Sequence, residues 1–450
     1  MSYHPFRASS FALTFCLTEC FGYWVLADQV PCYADAELAS PKQSLYCQTE
    51  SQSDSARAFE TSSHQAVEAL ARYLAQLPDG RQPIREEPFS FTPLTMDDAG
   101  LARDLLWQAH TAQIRIDRAA EMDAGVLTDG ELKMPFHYQV FGEKPKTGRS
   151  LYISMHGGGN APKGVNDQQW QNQKKLYTLT EGIYVAPRAP TDTWNLWHQD
   201  HIDRLFARLI ENMIVFEDVD PDRVYLMGYS AGGDGVYQLA PRMADRFASA
   251  SMMAGHPNET SPLGLRNLPF AIHVGALDNG YNRNQVARDW GLQLDDLQQA
   301  DADGYVHLVQ LHEGKGHWMD RQDAAAIPWM AKFRRDPFPK RIVWKQDDVQ
   351  HRRFYWLATS KDAMEDRAEV VAERRENVVV LRTSGVKRLT IYANDTMFNL
   401  DEPLTLQFGN SQVFHSQIPR TISVLSETLQ EYGDPRSAYS AEVSIGVPEK

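Results

Sequence analysis

Between about residues 150 and 312, short apolar runs alternate with amphipathic stretches, and this alternation restricts the fold more than any other feature of the chain. The runs are Leu151 to Met155, Gly182 to Ala186, Val224 to Met227, Ala248 to Ala254, Phe270 to Val274 and Val306 to Leu311. Between the second and third, Ile202, Leu205, Phe206, Leu209, Ile210, Met213 and Ile214 recur at i, i+3, i+4, the spacing of an amphipathic helix lying on a sheet. Another helix follows Ser230, and a third spans 284–299. Strands alternating with helices in this way predict a mostly parallel sheet flanked by helices, an α/β class.

The flanks read differently. Residues 48–63 are polar and Ser-rich and predict a flexible lead-in. Ala66, Val67, Leu70, Tyr73, Leu74 and Leu77 then fall at helical spacing up to Pro78-Asp79-Gly80, and a second helix is expected from Asp97 to Trp107. After Pro337 the pattern turns to strand-like pieces separated by turn residues: 342–344, 353–357, 378–381, 388–392, 404–408, 413–414, 421–425 and 442–445. The expected organisation is a signal segment over 1–36, a helical lead-in over 37–129, a catalytic α/β domain over 130–336, and a small antiparallel, sandwich-like β domain over 337–450.

Composition removes several functions. With 42% apolar and 23% charged residues the chain is that of a folded globular protein. Its net charge of -14 argues against nucleic acid, whose binding rests largely on phosphate neutralisation by Lys and Arg. No stretch approaches the roughly 20 apolar residues that span a bilayer, so no integral membrane span is expected. Cys16, Cys20, Cys32 and Cys47 all precede residue 48, so disulfides cannot hold the main fold together. Arg7 ahead of the apolar run Ala8 to Cys16, with Ala34-Asp35-Ala36 beyond it, reads as an export signal, although Glu19 interrupts it; export to the periplasm or outside the cell is favoured over the cytoplasm.

The chemistry centres on Gly228-Tyr-Ser-Ala-Gly-Gly-Asp-Gly235, at the end of one of the apolar runs. Glycines on both sides of Ser230 suit a strand-to-helix turn too tight for side chains, which would present the hydroxyl in the open. A serine hydroxyl is a poor nucleophile until an imidazole takes its proton, and a buried carboxylate must hold that imidazole. Asp278 follows the run ending at Val274, and His317 follows the run ending at Leu311, in the order the chemistry needs. His156-Gly-Gly-Gly159, directly after the first run, offers bare backbone N–H groups to a developing oxyanion. Gly158 or Gly159 would supply one donor and Ala231 the other. His156 would orient that loop.

Taken together, H-G-G-G, G-Y-S-A-G-G, G-A-L-D and G-K-G-H-W resemble the α/β-hydrolase esterases, and within them the polyhydroxybutyrate-depolymerase-like group, over about residues 130 to 335. The resemblance implies an α/β-hydrolase fold with Ser230 as nucleophile, Asp278 as acid and His317 as base. It implies no metal and no organic cofactor. Cleavage of carboxylic esters through an acyl-enzyme is the reading this favours, on a small-molecule or polymeric ester. A serine peptidase, or a binding protein that kept the shape without turnover, are the alternatives.

Trp194, Trp197, His198 and Trp318 are expected to line the substrate pocket, against a reading in which the tryptophans only pack. Asp303 and Asp320 are weaker candidates for the acid. His198 and His201 are three apart on a helix but lack a further ligand set, so no metal site is expected there. Trp344, Phe354 and Trp356 would suit a carbohydrate-binding face if exposed, and pairing of two subunits through the β domain is a further expectation.

Overall fold

A computed structural model describes residues 41–77 and 81–448, with side chains from residue 55 onward. The segment 1–36 with its expected export signal, and the side chains of the four cysteines, lie outside the described residues. The chain divides at Ser55 into two units, the first described only as helical backbone from residue 41 and the second running Ala56–Lys450.

Helix α1 runs Pro41–Leu74, so the expected flexible lead-in over 48–63 is helical instead. Its Gln, Glu, Ala and Arg residues have good helix propensity, and this outweighs the serines. Helix α2, Met96–Ala124, starts where Thr95 accepts the Asp98 N–H and ends at Gly125 in a left-handed conformation. It outruns the expected end at Trp107 by more than four turns.

The central sheet contains β1 Val126–Asp129, β2 Leu132–Phe141, β3 Arg149–Met155, β4 Gly182–Pro187, β5 Val219–Tyr229, β6 Ser249–Met253, β7 Phe270–Gly275 and β8 His307–His312. Its order is β1-β2-β4-β3-β5-β6-β7-β8. From β4 to β8 every neighbouring pair is parallel, while β1 and β2 add an antiparallel edge. Around it stand α3 Lys163–Gln173, α4 Asp200–Glu217, α5 Ala231–Arg242, α6 Arg283–Ala300 and α7 Ala326–Met330. Strands β4, β6 and β7 are buried at every position, as covering on both faces requires. Leu205, Phe206, Leu209 and Met213 of α4 lie in the main core with Val236 and Leu239 of α5.

Beyond α7 the chain forms β9 Arg341–Lys345, β10 Arg353–Phe354, β11 Leu357–Ala358, β12 Met364–Arg375, β13 Val378–Val386, β14 Arg388–Ala393, β15 Leu404–Phe408, β16 Ser411–Ser416, helix α8 Ile422–Tyr432 and β17 Ala441–Gly446. Two sheets result, ordered β10-β11-β14-β17 and β16-β15-β13-β12-β9. They are not wholly antiparallel, because β13 and β15 run parallel. The segment 421–425, expected as a strand, opens α8: Thr421 caps it by accepting the Val424 N–H, and Ile422, Leu425 and Leu429 face α1 and α2 in one apolar cluster. Trp344, Phe354 and Trp356 are all buried, which removes the expected carbohydrate-binding face. Those three side chains belong to the same continuous core as the central sheet.

Candidate active site

The turn from β5 into α5 has the geometry its glycines suggest. Ser230 takes φ 59° and ψ -122°, a backbone conformation that side chains seldom adopt. A Cβ on Gly228 would stand 2.2 Å from the Gly232 carbonyl oxygen, and one on Gly232 would stand 2.2 Å from the Met155 carbonyl oxygen. Both positions exclude any side chain. The strained serine is held by its own N–H, which donates to the Met253 carbonyl at 2.9 Å.

Two loops bring the other groups to it. The loop after β7 carries Asp278 and the loop after β8 carries His317. His317 Nε2 lies 2.9 Å from Ser230 Oγ, and its Nδ1 lies 2.8 Å from Asp278 Oδ2. The two loops touch through backbone: Leu277 N–H donates to the Lys315 carbonyl at 2.8 Å, and a Cβ on Gly275 would stand 2.0 Å from the Gly316 carbonyl oxygen. Asp278 is 3% exposed, whereas the His317 side chain is 44% exposed. A buried carboxylate thus orients an imidazole whose other nitrogen faces the hydroxyl at the surface. Of the alternative acids, Asp320 pairs with Lys315 at 2.5 Å and Asp303 is exposed beyond α6.

The glycine loop after β3 closes the site from the other side. A Cβ on Gly157 would meet Ser230 Cβ at 3.1 Å, so this backbone approaches the serine closely. Gly159 departs from expectation: its N–H donates to Asn166 Oδ1 at 2.8 Å and is therefore already engaged. Asn166 is fully buried on α3, with its Nδ2 donating to the Ala161 carbonyl and to Asp192 Oδ1. No side chain among the described residues accepts from the N–H of Gly158 or Ala231. His156 holds the loop root: Nε2 accepts the Ala189 N–H at 3.1 Å, and Nδ1 lies 2.6 Å from the Gly157 carbonyl. Burial pulls its pKa down to about 4, so the ring is neutral near pH 7 and Nδ1 carries the proton.

The four expected pocket residues divide. Trp194 and Trp318 are more than half exposed. Trp197 is a correction: it is fully buried, donates from Nε1 to the His156 carbonyl at 2.9 Å, and packs against Gly235 and Phe206, so it supports the glycine loop from below. His198 is also buried, edge-on to Trp194 at 5.3 Å, and burial lowers its pKa to about 4. No group of His, Cys, Asp or Glu among the described residues is arranged to hold a metal ion, His198 and His201 included.

Sequence reasoning passed over three residues here. Asn166 lies in a polar stretch with no pattern to mark it. Asp234 stands on α5 one turn after Ser230 and accepts the His256 N–H at 2.6 Å, and burial pushes its carboxyl up to about 6. Tyr229 precedes the serine, and its hydroxyl bonds to the loop of His317.

Fold and site together define a class: a mostly parallel, helix-flanked sheet whose strand-to-helix corner presents a serine to a histidine held by an aspartate. No family model matches the chain. It is 30% identical over 131 residues to the protein named "Putative esterase NocK" of Nocardia uniformis subsp. tsuyamanensis, a match that takes in 26% of this chain and 37% of that one. The chain thus spans little more than a third of that relative's length. Among solved structures it is similar to a thermostable esterase, at 18% identity with a TM-score of 0.36 over 47% of this chain and 62% of that one. It is also similar to a feruloyl esterase module from Clostridium thermocellum, at 13% identity with a TM-score of 0.35 over 46% of this chain and 86% of that one. Among the described residues no helix is long and apolar enough to cross a membrane.

Proposed function

We propose that the protein is a serine hydrolase of the α/β-hydrolase type that cleaves carboxylic esters. The observation that carries this reading is the single imidazole within hydrogen-bond reach of both a strained, surface-facing serine and a buried carboxylate. His317 takes the Ser230 proton as Oγ attacks the ester carbonyl, and Asp278 steadies the resulting imidazolium. The oxyanion is received by the N–H groups of Gly158 and Ala231. His317 then returns its proton to the leaving alcohol, and deprotonates the water that clears the acyl group from Ser230. The relative named as an esterase agrees with this choice of substrate class. On its motifs we place the protein with the polyhydroxybutyrate-depolymerase-like esterases, with Trp194 and Trp318 as the exposed aromatic walls against the acyl group.

A fluorophosphonate probe tests the mechanism. The wild type should label on Ser230, and Ser230→Ala should neither label nor turn over a chromogenic ester, with kcat reduced by at least about 10⁴-fold. A wild type that remains unlabelled while folded would sink the proposal. Chromogenic esters of increasing acyl length, run beside hydroxybutyrate oligomers and feruloyl esters, then assign the substrate.

A further inference from the structure

His317 and Ser230 do not come from neighbouring strands. In the order β5-β6-β7-β8, three strand spacings separate β5, which ends at the serine, from β8, which leads to the histidine. At about 4.8 Å per spacing that is roughly 14 Å, so the loop after β8 must reach back across two strand ends to deliver its imidazole. Something must hold it there.

The loop is tied to its near neighbour by the Leu277 to Lys315 backbone bond, and closed on itself by the Lys315–Asp320 ion pair. Neither tie reaches β5. Tyr229 does. Its phenol donates to the His317 carbonyl at 2.6 Å and accepts the Met319 N–H at 3.1 Å, so one oxygen uses its donor and an acceptor site on the two backbone groups that bracket Trp318. The ring also packs edge-on to the His317 ring, with centroids 6.0 Å apart, and against Trp318 at 5.8 Å. Tyr229 is 8% exposed and Met319 is fully buried beside it, so the bond from Met319 forms away from water, while the bond to the His317 carbonyl is partly buried. The residue next in sequence is the nucleophile itself.

We infer that Tyr229 is a positioning residue that sets the distance between base and nucleophile, because one dipeptide both presents the hydroxyl and clamps the backbone of the histidine. The inference rests on the catalytic reading of Ser230 and His317. A base a fraction of an ångström out of place loses the near-attack geometry on which proton transfer depends, while substrate binding to the pocket walls is untouched. Tyr229 therefore acts on kcat and not on KM.

Tyr229→Phe keeps the ring and removes only the hydroxyl. With a chromogenic ester, kcat should fall about tenfold or more at unchanged KM, and the fluorophosphonate labelling rate should fall by the same factor. A folded variant with wild-type kcat and wild-type labelling rate overturns the inference. So does a fall in thermal stability with kcat preserved well below the transition, since that marks a packing role alone. An independent reading comes from the wild type and does not depend on the variant folding: the Met319 amide should exchange its hydrogen as slowly as those of β5, and exchange at the rate of an open loop overturns the clamp. If the wild type itself does not label, the catalytic reading fails and this inference with it. That result is distinct from a labelled wild type with an indifferent Tyr229→Phe, which removes the clamp alone.

Discussion

At the scale of single residues, the site is built by exclusion as much as by contact. Gly232 sits where a methyl group would stand 2.2 Å from the carbonyl oxygen of Met155, the last residue of the central strand β3. Gly232→Ala should therefore destabilise the fold by about 3 kcal/mol or more, read as a lower urea midpoint. The buried Asn166 shows the opposite device, a polar side chain that satisfies three groups of the glycine loop and its surroundings. Truncating it strands the Gly159 N–H and frees Gly158 from its neighbour. Asn166→Ala should lower kcat by about 10- to 100-fold, somewhat less than the loss of an oxyanion donor itself, with a smaller change in KM. Steady-state kinetics on a chromogenic ester check it, and an unchanged kcat would mean that the loop holds its shape without the amide.

At the scale of elements, legibility followed the strength of the local pattern. The buried parallel strands are near-continuous apolar runs, so β3 to β8 could be read from sequence, and Ser230, Asp278 and His317 followed because each stands just past one of them. Strand β2 was not legible: Leu132-Lys-Met-Pro-Phe-His-Tyr places Pro135 and charge inside it, and only pairing with β1 and β4 accommodates them. The 421–425 segment misled because Thr, Ile and Val favour strands, whereas the cap at Thr421 and the apolar face toward α1 and α2 decide for helix. Trp197 misled because a tryptophan in a loop resembles a pocket wall until its partners are known. Asp234 belongs to this scale, since its bond to His256 N–H joins α5 to the loop after β6. Burial raises its pKa to about 6, above the value near 3.8 of a free aspartate, so the folded state holds the proton more tightly than the unfolded state. The stabilisation from that proton is complete below pH 3.8 and is lost as pH rises through 6. Asp234→Asn cannot ionise and keeps an acceptor for His256. Its stability relative to the wild type should therefore rise by up to about 3 kcal/mol between pH 4 and pH 7, measured by urea unfolding at each pH. A difference independent of pH would show that Asp234 titrates at its ordinary value.

At the scale of the whole molecule, the chain after α7 is joined to the central sheet by buried polar contacts as well as by shared core. Arg335 is 6% exposed and binds Asp222 of β5 at 2.9 Å together with Asp434, which lies just after α8 and is itself buried. His351, between β9 and β10, binds Asp203 of α4 at 2.6 Å, and Asp203 also holds Arg242 of α5. Tyr355 donates its backbone N–H to Asp245 and its hydroxyl to the Ala244 carbonyl, both at 3.1 Å. Buried ion pairs contribute little net stability when intact, because desolvation offsets the attraction, but losing one partner leaves the other charge uncompensated. Asp434→Ala removes one of the two carboxylates that hold the buried Arg335 and should cost about 3 kcal/mol, more than the removal of any exposed pair. Ending the chain at residue 336 would take Asp434 from Arg335, His351 from Asp203 and the Tyr355 N–H from Asp245, leaving each buried charge with fewer partners, and would uncover the apolar surface on which Trp344, Phe354 and Trp356 rest. Residues 56–336 are therefore expected to give no soluble, active enzyme, whereas residues 56–450 should hydrolyse a chromogenic ester. Soluble yield and turnover of the two chains, side by side, decide it, because a shorter chain with full activity would mean that these buried charges find water or new partners at little cost.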